Sequence, residues 1–163
     1  MIKRLLPLLI GLSACCGALA QDMPATGQST TSTTTTTAWT TQPPNGGATE
    51  DAVKTAIANA GYKEVKDLKF KDGVWRSKAR GGNKLWVKLA VGPVNGKVYP
   101  ADTPSKLSKD EISAKLVTVG YQNVKDVKFD DGLWAAEAKT MHGNDVDLLV
   151  DPDDGSVVAK SRD

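Results

Sequence analysis

Gly61-Tyr62-Lys63-Glu64-Val65-Lys66-Asp67-Leu68-Lys69-Phe70-Lys71-Asp72-Gly73-Val74-Trp75 returns without a gap, 59 positions on, as Gly120-Tyr121-Gln122-Asn123-Val124-Lys125-Asp126-Val127-Lys128-Phe129-Asp130-Asp131-Gly132-Leu133-Trp134. The register holds downstream, where Val91, Pro93, Gly96 and Val98 fall on Val150, Pro152, Gly155 and Val157. Self-similarity at a fixed spacing means that one structural unit is used twice. The fold question therefore reduces to reading one unit.

Each unit opens with a helix signal. Thr49 and Ser108 stand at N-cap positions with acidic residues behind them, and Ser108 with Glu111 fits a capping box. Ile112, Leu116 and Val119 recur at helical spacing, as do Val53, Ala56, Ile57 and Ala60. Gly61 and Gly120 are placed to end each helix in a left-handed conformation. Strand signals follow. Leu68 alternates with Phe70, and Val127 with Phe129. Asp72-Gly73 and Asp131-Gly132 mark tight turns. Trp75-x-Ser77-x-Ala79 and Trp134-x-Ala136-x-Ala138 then line one strand face, with both tryptophans expected in the core or at its edge. Leu85, Val87, Leu89 and Val91 give the clearest period of two, echoed by Val146, Leu148 and Val150. The turns Pro93-Val94-Asn95-Gly96 and Pro152-Asp153-Asp154-Gly155 lead into last strands. The expected fold class is α+β: two tandem repeats, each a helix packed on a three- to four-stranded antiparallel sheet. The repeats span 49–100 and 108–160, with a linker at 101–107.

Working outward, Met1-Ile2-Lys3-Arg4 precedes an apolar run from Leu5 to Cys16, and Ala18-Leu19-Ala20 offers small residues to a signal peptidase. This reads as a signal peptide over 1–20, too short to span a bilayer, and predicts a periplasmic or secreted protein. The alternative is a lipoprotein anchored through Cys15, because Leu12-Ser13-Ala14-Cys15 resembles a lipobox; the chain meets a membrane only in that case. Residues 21–48 read as a disordered Thr/Ser/Pro-rich linker. Its Thr30–Thr37 run and Pro43-Pro44-Asn45-Gly46-Gly47 hold too little apolar surface to offset chain entropy. Trp39 is the outlier, either a stray residue or one that docks on the folded part.

The order helix, Gly-Tyr, valine, strand, Asp-Gly-x-Trp, alternating strand and Pro-x-x-Gly turn resembles the PepSY family of small extracytoplasmic domains. The resemblance covers roughly Thr49 to Lys160. It is closer in the second repeat, where Asp147-Leu148-Leu149-Val150-Asp151-Pro152 leads into Gly155. In the first, Gly92 stands in place of the acidic residue before proline. The resemblance implies a binding or inhibitory unit, as in the propeptides of secreted metallopeptidases, and it offers no catalytic residues. The function expected is a non-catalytic exported protein-binding module that modulates or inhibits a secreted or envelope peptidase.

The residue inventory points the same way. The chain has one histidine, His142, beside Gly143 in a turn, and its two cysteines fall in the leader. A Cys/His zinc set and a Cys–His nucleophile pair are then out of reach of the mature chain, so no catalytic site, cofactor or enzyme activity is expected. Asp145, Asp147, Asp151 and Asp153 are weak metal candidates, since their spacing fails the EF-hand loop and Asp-Asp-Gly is a turn signal. The alternative function is a ligand- or metal-ion-sensing envelope domain built on this acidic second repeat.

The net charge of +2 hides two opposed halves. Residues 49–107 carry 12 Lys/Arg against 6 Asp/Glu, and residues 108–163 carry 7 against 12. In the first repeat Arg76, Lys78 and Arg80 alternate on one strand, and Lys84 and Lys88 flank Trp86 on the next. These six residues form the expected binding face, on the side away from the core. Three readings of the asymmetry stand: solubility, docking of basic unit on acidic unit or of neighbouring molecules, and a face for an acidic partner. A protein partner is expected and nucleic acid is not, because an exported chain rarely meets it. The sheet edges are a second candidate contact surface.

Overall fold

The computed structural model describes residues 38–161. The leader, Cys15 and most of the Thr-rich segment lie outside the described residues. The chain order is α1 (Glu50–Asn59), β1 (Glu64–Lys71), β2 (Val74–Arg80), β3 (Trp86–Val91), β4 (Val98–Pro100), α2 (Lys109–Thr118), β5 (Gln122–Asp130), β6 (Leu133–Lys139), β7 (Asp145–Val150) and β8 (Val157–Lys160). The strands form two four-stranded antiparallel sheets, ordered β1-β2-β3-β4 and β5-β6-β7-β8. The α+β reading with two helix-and-sheet units in tandem is what the structure has.

The local signals act where they stand in sequence. Thr49 accepts a hydrogen bond from the Ala52 N–H, and Ser108 with Glu111 completes both halves of the capping box. Ser108→Ala removes the side-chain half, leaving the backbone N–H of residue 108 on Glu111, and is expected to lower stability by about 1 kcal/mol. A fall of roughly 4 °C in the melting temperature, followed by circular dichroism, checks this. Asp72-Gly73 and Asp131-Gly132 all have positive φ, so each is a two-residue turn whose twist suits an antiparallel hairpin.

One sheet face in each unit packs on its helix. Val53 and Ile57 bury against Trp75, Ala79, Leu89 and Val91. Ile112 and Leu116 bury against Val127, Trp134, Ala136, Ala138, Val146, Leu148 and Val150. The expected stripes run too far at their C-terminal ends. Val119 is the C-cap of α2 and 63% exposed, and Ala60 is exposed, because both helices stop before a further turn could reach the sheet. Leu85 is exposed as well, since β3 begins at Trp86. Trp75 and Trp134 are core residues, each against its own phenylalanine at centroid distances of 5.6 and 5.5 Å. Their indole N–H groups donate to the segment ahead of each helix, Trp75 to the Ala48 carbonyl and Trp134 to Ser105 Oγ.

The other face of each sheet is where the repeats meet. Val74, Ala90 and Tyr99 from the first sheet and Leu133 and Leu149 from the second form one buried cluster, with Val158 and Ala159 packed against it. The layers therefore run α1, first sheet, second sheet, α2. Val74, Ala90 and Tyr99 are repeat equivalents of Leu133, Leu149 and Val158, so each unit offers the same positions to the other. The contacts are reciprocal too. The Tyr99 hydroxyl donates to Asp151, while Gly92, the equivalent of Asp151, lies against Val158, the equivalent of Tyr99. Gly132 approaches the backbone of Tyr99 and Pro100 so closely that a Cβ would sit within 3.0 Å, and Gly73 likewise abuts Ala159. This is the pattern of an isologous interface, made inside one chain.

Trp39 docks on the same cluster, its ring stacked over Gly73, where a Cβ would lie 2.8 Å from it. Residues ahead of α1 are tied down further on: the Ala48 N–H donates to the Pro93 carbonyl at 2.6 Å.

Candidate functional site

The six residues of the expected binding face divide into three groups. Arg80 and Trp86 are directly opposed in the β2–β3 ladder, as are Lys78 and Lys88. Arg76 opposes Ala90, which already belongs to the cluster between the sheets. The second repeat thus covers one half of this face, and Lys78, Arg80, Trp86 and Lys88 lie on the uncovered half. Lys84 is apart from them, in the β2–β3 loop with φ 60°, where its N–H donates to the Gly81 carbonyl.

Trp86 is 39% exposed. Lys66 of β1 holds its ammonium 4.0 Å from the ring centroid, and the Arg80 guanidinium is 5.2 Å away on the neighbouring strand. Lys66 completes the patch and was not among the residues singled out from sequence; its register opposite Lys78 was the signal. The cations are not bare. Arg80 is hydrogen-bonded to Glu64, Lys78 Nζ is 3.8 Å from Asp67, and Lys88 Nζ donates to Asp131 at 2.9 Å. Asp131 belongs to the second repeat, and its hydrogen bond raises the pKa of Lys88. Exposed pairs of this kind are worth about 0–1 kcal/mol each. Of the three, only Lys88–Asp131 crosses from one sheet to the other, and the apolar cluster between the sheets supplies the attraction.

The four acidic candidates do not converge. Asp145 is paired with Lys139 at 2.8 Å at the far end of the second sheet. Asp147 sits on β7, where its N–H donates to Ser161 Oγ. Asp151 and Asp153 meet instead on Lys97 of the first repeat, at 2.7 and 2.8 Å, and Lys106 adds a contact to Asp153 at 3.1 Å. Among the described residues no three His, Cys, Asp or Glu side chains come together as metal ligands. His142 is exposed in the β6–β7 turn.

Lys97, Tyr99, Asp151 and Asp153 form a polar network around a buried carboxylate. The Asp151 side chain is 2% exposed and accepts from Lys97, from the Tyr99 hydroxyl and from the Asp153 N–H. Burial pushes the Tyr99 phenol up, with Asp151 adding to the shift. Burial works against the Lys97 ammonium, but its hydrogen bonds to Asp151 and Asp153 prevail and raise its pKa. The Lys97 and Lys106 hydrogen bonds hold the Asp153 carboxyl below the usual aspartate value. This network joins the basic unit to the acidic one.

Residues 99–161 match the family model for the peptidase propeptide and YPEB domain. These residues are similar to the PepSY family. The match takes in the end of β4, the linker and the whole second unit, so both Tyr99 and the Asp151 that it bonds fall inside it. PepSY domains are in general non-catalytic, propeptide-like units of extracellular or periplasmic proteins. No curated protein and no solved structure matches the chain. Among the described residues, no helix is long and apolar enough to cross a membrane.

The sheet edges differ from the faces in what they offer. β1 and β5 are outer strands, and both are broken by irregular register around Asp67 and Asp126, which have φ 54° and 51°. A bulge and a row of exposed lysines disfavour the addition of another strand. The sheet face around Trp86 is left uncovered by the second repeat.

Proposed function

We propose that the chain is a non-catalytic exported protein-binding module that restrains a secreted or envelope peptidase. The observation that carries this reading is the PepSY match over the second unit, set in a body whose two sheets are already locked together. In this reading the first unit is a diverged second PepSY-like copy, the leader exports the chain, and the part of the segment 21–48 ahead of the docked Trp39 tethers it. The locked pair of sheets favours the role. A binding surface held by a packed core loses little freedom when a partner arrives. Trp86, flanked by Lys66 and Arg80, supplies an aromatic anchor with cationic neighbours, the residue types that dominate contact energies.

The test is inhibition. The mature chain is titrated into a panel of secreted metallopeptidases cleaving a fluorogenic peptide. At least one enzyme is expected to slow with an inhibition constant of about 1 μM or tighter, equivalent to about −8 kcal/mol, and Trp86→Ala is expected to weaken that inhibition. Unchanged rates across the panel at roughly tenfold higher concentration would remove the peptidase from the proposal.

A further inference from the structure

A cleft of about 360 Å³ opens on the first sheet where the bulge displaces Asp67 from the β1–β2 ladder. Lys69, Arg76, Lys78 and Lys88 line it, and Asp67 and Asp131 are the carboxylates within it. Four cations against two anions leave a surplus of positive charge.

Their donors are poorly used. Arg76 Nε is buried and makes no hydrogen bond. The carboxylates nearest its guanidinium are at 3.7 Å, Asp72 to Nε, and 3.8 Å, Asp131 to Nη1, both beyond hydrogen-bonding distance. Lys78 Nζ stands equally far, 3.8 Å, from Asp67. A buried N–H with no acceptor needs an explanation, and a guanidinium with a free edge matches the two oxygens of a carboxylate.

The second repeat serves as a control built into the chain. It keeps the same bulge with Asp126 at φ 51°, yet Arg76, Lys78 and Lys88 are replaced there by Ala135, Glu137 and Asp147. The fold thus does not require these cations. Their presence in one copy points to a task at that place.

We propose that this cleft is an oxyanion subsite, which takes the carboxylate of a glutamate or aspartate from an acidic segment of the protein partner. Arg76 and Lys78 supply the donors, and Asp131 holds Lys88 at the rim until the partner's acid arrives. Trp86, on the uncovered half-face with Lys78 and Lys88, contacts the residue beside that acid. The inference rests on the protein-binding reading above.

The experiment uses the mature chain and a fluorescein-labelled peptide of alternating Glu and Ser, with its Gln counterpart, followed by fluorescence anisotropy. The Glu peptide is expected to bind about tenfold or more tightly than the Gln peptide, and to weaken between roughly 20 mM and 150 mM salt. Arg76→Gln and, independently, the more exposed Lys78→Gln are each expected to weaken it by about fivefold with melting temperatures unchanged, while Lys109→Gln on α2 leaves it as it was. Equal affinity for the two peptides, or full affinity in both cleft variants, overturns the subsite. Inorganic phosphate that binds through Arg76 where the Glu peptide does not bind also overturns it, assigning the cleft to a free oxyanion. The two proposals fail separately. Inhibition of a peptidase that survives both cleft variants keeps the module reading and removes the subsite, whereas Arg76-dependent Glu-peptide binding without any inhibition keeps the subsite and removes the peptidase.

Discussion

Leu133→Ala is expected to destabilise the chain by about 3 kcal/mol, the cost of lost burial plus the cavity that a truncated leucine leaves. For a folded part of this size that is a fall of roughly 10 °C in melting temperature. Leu133 is 0% exposed at the start of β6, and its neighbours in the cluster are Val74, Ala90, Tyr99 and Leu149. Only Leu149 comes from its own sheet and the other three from the other repeat's strands, so the void opens between the units. Neither helix-side core is touched. Calorimetry should therefore show the two units beginning to unfold apart, and a protease should cut sooner in the linker at 101–107. Leu148→Ala is the matched control. It removes the next residue but one from the same hydrophobic run as Val146 and Val150, on the α2 side, and should lower stability while leaving the units joined. A loss under about 1 kcal/mol for Leu133→Ala would mean that the cluster does not hold the sheets together.

Asp151→Ala should have an effect of similar size, about 3 kcal/mol, by a different route. Removing one partner of a buried ionic network strands the others. Here the Tyr99 hydroxyl loses its acceptor inside the interface, the Lys97 ammonium loses two of its hydrogen bonds, and the Asp153 N–H loses the oxygen that shapes its turn. Lys97 retains Asp153 and part of its solvent, which keeps the figure at the low end of the range for buried pairs. Tyr99→Phe removes the hydrogen bond donated to charged Asp151 and the one accepted from Asn95, and should lose about 2 kcal/mol. The double variant should fall short of the sum by about 1 kcal/mol, since each change spoils what the other left. Additive losses in chemical denaturation would show that the two side chains do not act as one network. The pH profile has a definite direction. Asp153 titrates below the ordinary aspartate value of 3.8 in the folded chain, so its contribution is present at neutral pH and disappears as acid protonates it. Lys97 titrates above its ordinary 10.5, so its contribution persists through neutral pH and disappears in strong base.

Most of the unit's own architecture was legible because it is written locally. The capping box at Ser108, the left-handed Gly61 and Gly120, the Asp-Gly turns and the period-two runs each specify their conformation within a few residues. The helix stripes were read correctly at Val53, Ile57, Ile112 and Leu116, and too long at Ala60 and Val119, since end positions depend on what packs beyond them. Docking of one unit on the other was one of three readings, drawn from charge, while the apolar signal for sheet meeting sheet went unused. Leu89-Ala90-Val91 and Leu148-Leu149-Val150 break the alternation expected of a half-solvated strand, and a strand apolar on both sides is covered on both. The Trp86 face was proposed from alternation alone. What escaped was its company: Lys66 over the ring and Asp131 on Lys88 come from a neighbouring strand and from the other repeat. Of the readings of the charge asymmetry, contact between basic and acidic units has structural form in Lys97 on Asp151 and Asp153.

A surface that fits its own copy needs no second gene to supply its complement. Joining two copies on one polypeptide fixes their stoichiometry and keeps them at a high effective concentration whatever the abundance of the protein. It also frees each copy from having to match itself. Tyr99 can lean on an aspartate while its counterpart Val158 leans on a glycine. One half can gather lysines while the other gathers aspartates, with no penalty of like charge across the seam. Duplication of this kind turns a symmetric pairing into a polar object with two distinguishable ends, and only an object with distinguishable ends can present one of them to something else.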